Sequence, residues 1–467
     1  MHILQAMDDP NLFAPWFRDR ATWQAWRAFL ATVFGLLPET PEQFEIVRHC
    51  TGRPGAPPPG QALDEVWLIC GRRAGKSFVL ALIAVFLACF KDYRQYLQPG
   101  ERGTVIVVAS DRKQARQIFR YARAMLTMIP MLAEMIERET AESFDLNNQV
   151  SIEIGTASLR SVRGYTLCAV LGDELAFWQT DDAAEPDYEI LDALRPGMST
   201  IPGAMLLLAS SPYRKKGALH DAHQRYFGKF GPVLVWKAPT RVMNPSVKQS
   251  IIDSAMKRDS ARANSEWMAE FRNDIAAFVP RDIVEACVTA GEFERPWSGT
   301  HRYVAFVDPS GGSSDSMTLA IGHRETDITI VDVVREITAP FDPESATEEF
   351  ANLLKSYNIS NVTGDRYAGE WPRQAFEKRG VSYHLSSAPK SALYVDMLPK
   401  LNSKTIRIPD NPRLINQIAA LERRTARGGR DSIDHPPGAH DDLANVVAGV
   451  ASCIVNRHSV TVTPLGV

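Results

Sequence analysis

Between residues 60 and 240 the apolar positions fall into short unbroken runs. "EVWLIC" (65–70), "GTVIVVAS" (103–110), "LCAVLGDE" (167–174) and "AMLLLASS" (204–211) are each bounded by turn residues. Runs of this kind predict strands buried on both faces, as in a parallel sheet covered by helices. "FVLALIAVFLACF" (78–90) is apolar all round and predicts a buried helix. Its 13 residues fall short of the roughly 20 needed to span a bilayer. Trp16, Trp23, Trp26 and Phe29, spaced at threes and fours, predict a helix over residues 12–37. "TGRPGAPPPG" (51–60) can be neither helix nor strand. The strand pattern stops near residue 240, and a polar helical stretch runs to about 274.

A second pattern opens at "YVAFVDPSGG" (303–312). "MTLAIGH" and "ITIVDVVREI" follow with short connections and predict antiparallel hairpins. Helices then alternate with "NVTGDRY" and "SYHLSSA", and "HDDLANVVAGVASCIV" (440–455) predicts a last helix. A chain of 467 residues exceeds one core. The expected division is a first domain over 1–275, a linker over 276–300 and a second domain over 301–467. Within the first, 1–60 is a helical region with its loop and about 240–275 a helical lid.

Composition is that of a soluble globular chain, 45% apolar and 23% charged. The net charge of −3 means that any nucleic-acid contact must come from local basic patches. Six scattered cysteines with no C-x-x-C pair argue against a zinc ribbon or a disulfide framework. The first residues lack the basic-then-apolar order of a signal peptide.

"LICGRRAGKSFVLAL" (68–82) reads as strand, glycine-containing turn and apolar helix, the context a phosphate loop needs. Gly71, Arg72, Arg73, Ala74 and Gly75 supply backbone N–H groups to phosphates at a helix N-terminus. Lys76 reaches the β- and γ-phosphates and Ser77 ligates magnesium. Cys70 stands where the usual spacing has its first glycine, and Gly71 is expected to take over the tight turn. A hydrolase also needs a carboxylate on a nearby strand. Asp173 and Glu174 end "LCAVLGDE", the first to hold magnesium and the second to polarise water. Arg163, 11 residues before Glu174, is a candidate arginine finger. Ser210, Ser211 and Pro212 end another strand, either sensing the γ-phosphate or forming an ordinary turn.

Asp308 and Asp365 end strands, and Asp441 and Asp442 begin a helix. Each has a capping or turn explanation by itself. Together in one domain they suggest a carboxylate cluster for magnesium or manganese. Two such ions clamp the attacking and leaving oxygens of a phosphodiester. Asp315 is a candidate auxiliary ligand, and His440 has a capping or packing explanation as good as a ligating one. Basic residues near this cluster are "KRG" (378–380), Lys390, Lys400, Lys404 and "RRTARGGR" (423–430); the last, the densest positive stretch in the chain, reads as a flexible loop suited to phosphate-backbone contact.

The order "GRRAGKS", "VLGDE", Ser-Ser-Pro, then three separated aspartates resembles the large terminase subunit of tailed bacteriophages over nearly the whole chain. The resemblance implies an N-terminal ASCE-type P-loop ATPase with a central parallel sheet. It also implies a C-terminal ribonuclease-H-like nuclease with a mixed sheet. The activities implied are ATP-driven translocation of double-stranded DNA into a procapsid and metal-dependent endonucleolytic cutting. Cofactors would be ATP with Mg2+ at the first site and two Mg2+ or Mn2+ ions at the second. By this likeness Lys76 and Ser77 carry the Walker A role, and Asp173 and Glu174 the Walker B and catalytic roles. Arg163 is a trans-acting finger, and Ser210 to Pro212 a coupling motif. Gln24 is a candidate adenine contact, while Asp308, Asp365 and the Asp441/Asp442 pair are metal ligands. The partners implied are a small terminase subunit and the procapsid portal protein. Also implied are a homo-oligomeric ring when docked (a monomer in isolation being compatible), the cytoplasm of an infected bacterial host, and no membrane. A repair helicase fused to a nuclease needs a second motor domain, for which about 240 residues leave no room. A nucleotide-gated scaffold without catalysis leaves the aspartates unexplained.

Overall fold

In the computed structural model each of the four short apolar runs between residues 60 and 240 becomes a strand. The structure describes residues 1–55, 60, 63–157, 164–178, 183, 185–313, 315–365, 370–425 and 431–454. The chain forms two compact units, Met1–Asp274 and Ile275–Val467.

The first unit holds β1 (Glu65–Cys70), β2 (Gly103–Ala109), β3 (Ile136–Glu139), β4 (Ser143–Leu146), β5 (Val150–Thr156), β6 (Thr166–Asp173), β7 (Met205–Ser210) and β8 (Val233–Ala238). They form one sheet in the order β3-β4-β5-β2-β6-β7-β1-β8. From β5 to β8 every pairing is parallel, and only β3–β4 and β4–β5 are antiparallel. The strand β7 therefore sits between β1 and β6, the interposed strand that defines an ASCE-type sheet. Parallel strands need crossovers, and these cover both faces with helices. The helix Lys76–Phe90 is buried nearly throughout, as its all-round apolar sequence requires.

Residues 12–37 are not one helix. A 3-10 turn spans Ala14–Trp16, and the α-helix is confined to Gln24–Val33. Pro15 tightens the first segment, and the Asp19 carboxylate accepts from the Ala21 N–H and the Thr22 hydroxyl in a turn that restarts the chain. The aromatic spacing survives the break because Phe17 and Trp23 pack edge to face across it.

In the second unit the strands are β9 (Ile275–Ala277), β10 (Val288–Thr289), β11 (Tyr303–Asp308), β12 (Met317–Glu325), β13 (Ile328–Ile337), β14 (Asn361–Gly364), β15 (Ser382–Leu385), β16 (Ile406–Pro409), β17 (Glu422–Thr425) and β18 (Asp431–Asp434). Seven form a mixed sheet in the order β10-β16-β13-β12-β11-β14-β15. Strands β11, β12 and β13 form antiparallel hairpins, while β14 and β15 add in parallel beside β11. This is the ribonuclease-H-like arrangement. The stretch 276–300, expected as a linker, is folded into this unit: β9 pairs with β17 and β10 with β16. Its short apolar segments carried too little periodicity to read as strands.

The helix Asp442–Cys453 lies on the same face as Phe306 of β11. Gly449 allows the close approach, since a Cβ there would lie 2.1 Å from the Phe306 ring. Gly449→Ala gains about 1 kcal/mol of helix propensity but overpacks a buried ring, which costs about 1–3 kcal/mol. We expect a net loss of stability in chemical denaturation; an unchanged or raised midpoint would contradict this packing.

Candidate functional site

Because β1, β7 and β6 are adjacent and parallel, their carboxyl ends deliver the loop after Cys70, Ser210 and Asp173 to one edge. Arg73 and Gly75 take the left-handed conformation, with φ of 61° and 104°. Gly71 does not, so it is not the tight-turn residue the sequence suggested. A Cβ at Gly71 would lie 2.2 Å from Thr240 Oγ1 and 2.8 Å from the Trp267 carbonyl oxygen. Close approach of that region to the loop is what requires glycine there. Cys70 is buried, and desolvation pushes its thiol up to about 12, so it serves as a small apolar strand residue.

Lys76 is 5% exposed. Its ammonium donates to the carbonyls of Cys70 (3.2 Å) and Gly71 (3.3 Å) and to Ser211 Oγ (3.0 Å), with Glu174 at 3.6 Å. Ser77 Oγ donates to Asp173 Oδ2 at 2.7 Å. Burial, then the Glu174 charge, raises the Asp173 pKa, and Lys76 opposes the rise. Glu174 has φ of 52°, and its carboxylate accepts from the Ser210 hydroxyl (3.4 Å) and the Ser211 N–H (3.3 Å). Lys76, Ser77, Asp173, Glu174, Ser210 and Ser211 therefore converge.

A cleft of about 1440 Å³ opens over the loop, lined by Arg72 to Phe78, Glu174 and residues of two other segments. One is the helix Arg112–Met128, which contributes Lys113, Gln114, Gln117 and Tyr121. The other contributes Asn244, Lys248, Ile251, Glu266 and Trp267. Asn244 donates to the Arg73 carbonyl at 2.8 Å and Thr240 to the Arg72 carbonyl at 2.8 Å. No sequence motif marked these residues; they arrive through tertiary packing. Gln24 does not line the cleft, and its amide oxygen accepts from Gln43 at 2.7 Å. Trp26, two residues on, touches the loop instead, donating to the Ala74 carbonyl at 2.9 Å. Arg163 lies outside the described residues.

In the second unit Val307 pairs with Gly364, so Asp308 and Asp365 leave adjacent parallel strands side by side. Asn445 bridges them, its amide donating to Asp308 Oδ2 (2.6 Å) and Asp365 Oδ2 (3.3 Å). Its own Oδ1 is buried without a hydrogen-bond partner. Sequence reading missed Asn445; its position one turn after Asp441 and Asp442 on the same helix was the available signal.

The structure separates the two neighbouring aspartates. Asp441 is buried and committed, bound by Lys390 (3.0 Å) and by the Tyr394 hydroxyl (2.8 Å). The carboxylate of Asp442 has no such partner among the described residues. Burial first, then Asp441, raises the Asp442 pKa to about 6, with further contributions from Asp315 and Glu336 and an opposing one from His440. Burial likewise raises Asp308 to about 7; Asn445 opposes the rise, and Asp365, Asp442 and Asp441 add to it. No three of Asp308, Asp365, Asp441 and Asp442 hold their oxygens all within 4.8 Å of one another. Asp315 and His440 are exposed at the rim.

Two of the basic residues near this cluster are bound to protein groups. Lys390 pairs with Asp434 (3.2 Å) and Asp441. Lys400 is half-buried and donates to Thr329 Oγ1 (3.1 Å) and the Ile454 carbonyl (3.0 Å). Residues 426–430 of the basic stretch lie outside the described residues.

The fold and edge geometry thus define a P-loop unit followed by a ribonuclease-H-like unit. Residues 68–185, holding the loop, Asp173 and Glu174, match the family described as terminase large subunit, T4likevirus-type, N-terminal. The family recognised from the motifs is the one whose model matches. No curated protein matches the chain. The large terminase of bacteriophage HK97 is 15% identical, covering 92% of this chain and 100% of its own, at a TM-score of 0.38. The large terminase of a thermophilic bacteriophage, in complex with ADP, is 12% identical over 84% and 94% of the two chains, at 0.37. The large terminase nuclease of thermophilic phage G20c, with bound magnesium, is 14% identical over 38% and 98%, at 0.33.

The raised Asp308 pKa has a consequence for metal-free protein. Between about pH 4, the unfolded value, and about pH 7, the folded chain holds a proton that the unfolded chain releases. Stability in chelator should therefore fall as pH rises through this window. Asp308→Asn should flatten the decline, measured by denaturant midpoints at several pH values. An identical slope in both proteins would show that Asp308 is not the titrating group.

Proposed function

We propose that the chain is a viral DNA-packaging motor subunit that hydrolyses ATP at the first site and cuts double-stranded DNA at the second. The observation that carries the first half is the Lys76–Glu174–Ser77–Asp173 cluster, all within the matched stretch 68–185. Loop N–H groups and Lys76 hold the β- and γ-phosphates, and Glu174 orients the attacking water. Ser77 and Asp173 offer hard oxygens suited to magnesium, which neutralises phosphate charge when bound. Ser210 and Ser211, already hydrogen-bonded to Glu174, link that carboxylate to the end of β7. Arg163 is proposed to complete the site of a neighbouring subunit.

At the second site the fit to divalent cations rests on the crowding of Asp308, Asp365 and Asp442. It also rests on the orphaned oxygen of Asn445, an atom suited to a cationic neighbour. Of the neighbouring pair we assign Asp442 to the metal, because Lys390 and Tyr394 hold Asp441 away. Metal ions at these oxygens supply charge stabilisation for phosphodiester cleavage. Asn445 holds Asp308 and Asp365 at a fixed separation. A small terminase subunit, a portal protein and a ring of copies in an infected bacterium complete this reading. No helix among the described residues is long and apolar enough to cross a membrane.

Glu174→Gln should bind ATP but lose hydrolysis by about 10²–10⁴-fold, while Asp365→Asn should lose manganese-dependent plasmid nicking and keep its ATPase rate. Wild-type hydrolysis in the first variant, or wild-type nicking in the second, would refute the corresponding half.

Mixing tests the finger. Arg163→Ala and Glu174→Ala subunits, co-assembled, should recover some hydrolysis at interfaces pairing an intact finger with an intact glutamate. Co-assembly without recovery would exclude a trans-acting Arg163.

A further inference from the structure

At the opposite end of β11 from Asp308, roughly 17 Å away at about 3.3 Å per residue, three ligand-type side chains converge. His323 and Glu325 alternate on one face of β12, and Tyr303 pairs with His323 in the antiparallel ladder. Extending that register by two residues sets His301 opposite Glu325. The His323 Nε2–Glu325 Oε1 distance is 3.1 Å and the His301 Nε2–Glu325 Oε1 distance 3.8 Å. Among the described residues this is the only trio of metal-ligand types with atoms all within 4.8 Å of one another.

We propose that His301, His323 and Glu325 bind a zinc ion. Tetrahedral zinc, with bonds of 2.0–2.2 Å to nitrogen and oxygen, sets its ligand atoms about 3.3 Å apart. The observed distances bracket that value. Two imidazoles and one carboxylate suit zinc better than magnesium, which takes oxygen ligands.

The surroundings supply what a ligating histidine needs. Asp332, 1% exposed, holds His323 Nδ1 at 2.7 Å through its Oδ2. That bond places the proton on Nδ1 and turns the Nε2 lone pair towards Glu325. Asp332 falls in the register shift between β12 and β13, which leaves it out of the ladder pairing. Its Oδ1 is buried without a hydrogen-bond partner. A buried carboxylate so poorly satisfied is costly unless positive charge lies close. Arg295 supplies part of that charge, lying 3.9 Å from Glu325 while tied to Glu292 at 2.6 Å, and a cation held by the trio would add to it. Zinc bound here would fasten the segment before β11 to the end of β12. Three protein ligands leave the fourth position to water.

Cobalt(II) is the probe, because tetrahedral cobalt absorbs strongly in the visible and octahedral carboxylate-bound cobalt weakly. The full-length chain, stripped with chelator, should develop this absorption with one equivalent of cobalt and lose it on adding zinc. His301→Ala and Glu325→Gln should abolish the band, and Asp308→Asn should retain it. Melting in chelator monitors the folding of each variant, and both altered side chains are partly exposed. Absence of the band in the parent would leave His323 as a hydrogen-bonded histidine between two acids and overturn the proposal. So would an undiminished band in both variants, or loss of the band in Asp308→Asn alone.

Discussion

Neighbouring parallel strands end at the same edge of a sheet, so side chains just beyond their last ladder bonds face a common space. Both candidate sites use this constraint. In the first unit β1, β7 and β6 bring together a phosphate-type loop, two serines and two acids from positions 140 residues apart in sequence at the extreme, Ser211 minus Gly71. In the second, β11 and β14 set Asp308 beside Asp365. A one-place slip in either pairing would turn an acid to the other face of its sheet. The buried, two-sided apolar runs that set these registers are therefore also what position the chemistry.

Charge is then distributed unequally between the two edges. The Lys76 ammonium is nearly excluded from water, and such burial is tolerable only with several good acceptors. Two carbonyls, Ser211 and the nearby Glu174 carboxylate meet that need. Among the described residues, the edge at Asp308 shows acids without a cation buried as Lys76 is. Burial first, and the neighbouring acids after it, raise two pKa values there to near 7 and 6, and a divalent ion would offset both effects. Asp441 shows the contrast: although it adjoins Asp442 in the chain, Lys390 and Tyr394 satisfy its carboxylate.

The central strands, the loop and the acids at strand ends were legible because each combines an unbroken apolar run with a polar residue where the run stops. Asp173 and Asp308 carry that signature, whereas Asp365 follows the short, mostly polar strand Asn361–Gly364 and was marked only by ending it. What was not legible depended on packing between distant segments. Gly71 reads as a turn glycine in sequence, but the crowding that requires it comes from Thr240 and Trp267. Gln24 and Trp26 share a helix, and only the fold decides which meets the loop. The choice between Asp441 and Asp442 needed Lys390 and Tyr394, about 50 residues upstream by the 51- and 47-residue separations of their contacts. The short strands β9 and β10 gave no periodic signal, so a folded segment resembled a linker.

The central claim is that strand-end acids in each unit form a cation-binding edge, one for a nucleotide and one for DNA. Anomalous diffraction from a manganese-soaked crystal grown with a non-hydrolysable ATP analogue tests it most directly. The account predicts manganese between Ser77, Asp173 and the analogue's phosphates, and again among Asp308, Asp365 and Asp442, with none on Asp441. Manganese held by Asp441, or no peak at either edge with the analogue bound, would contradict it.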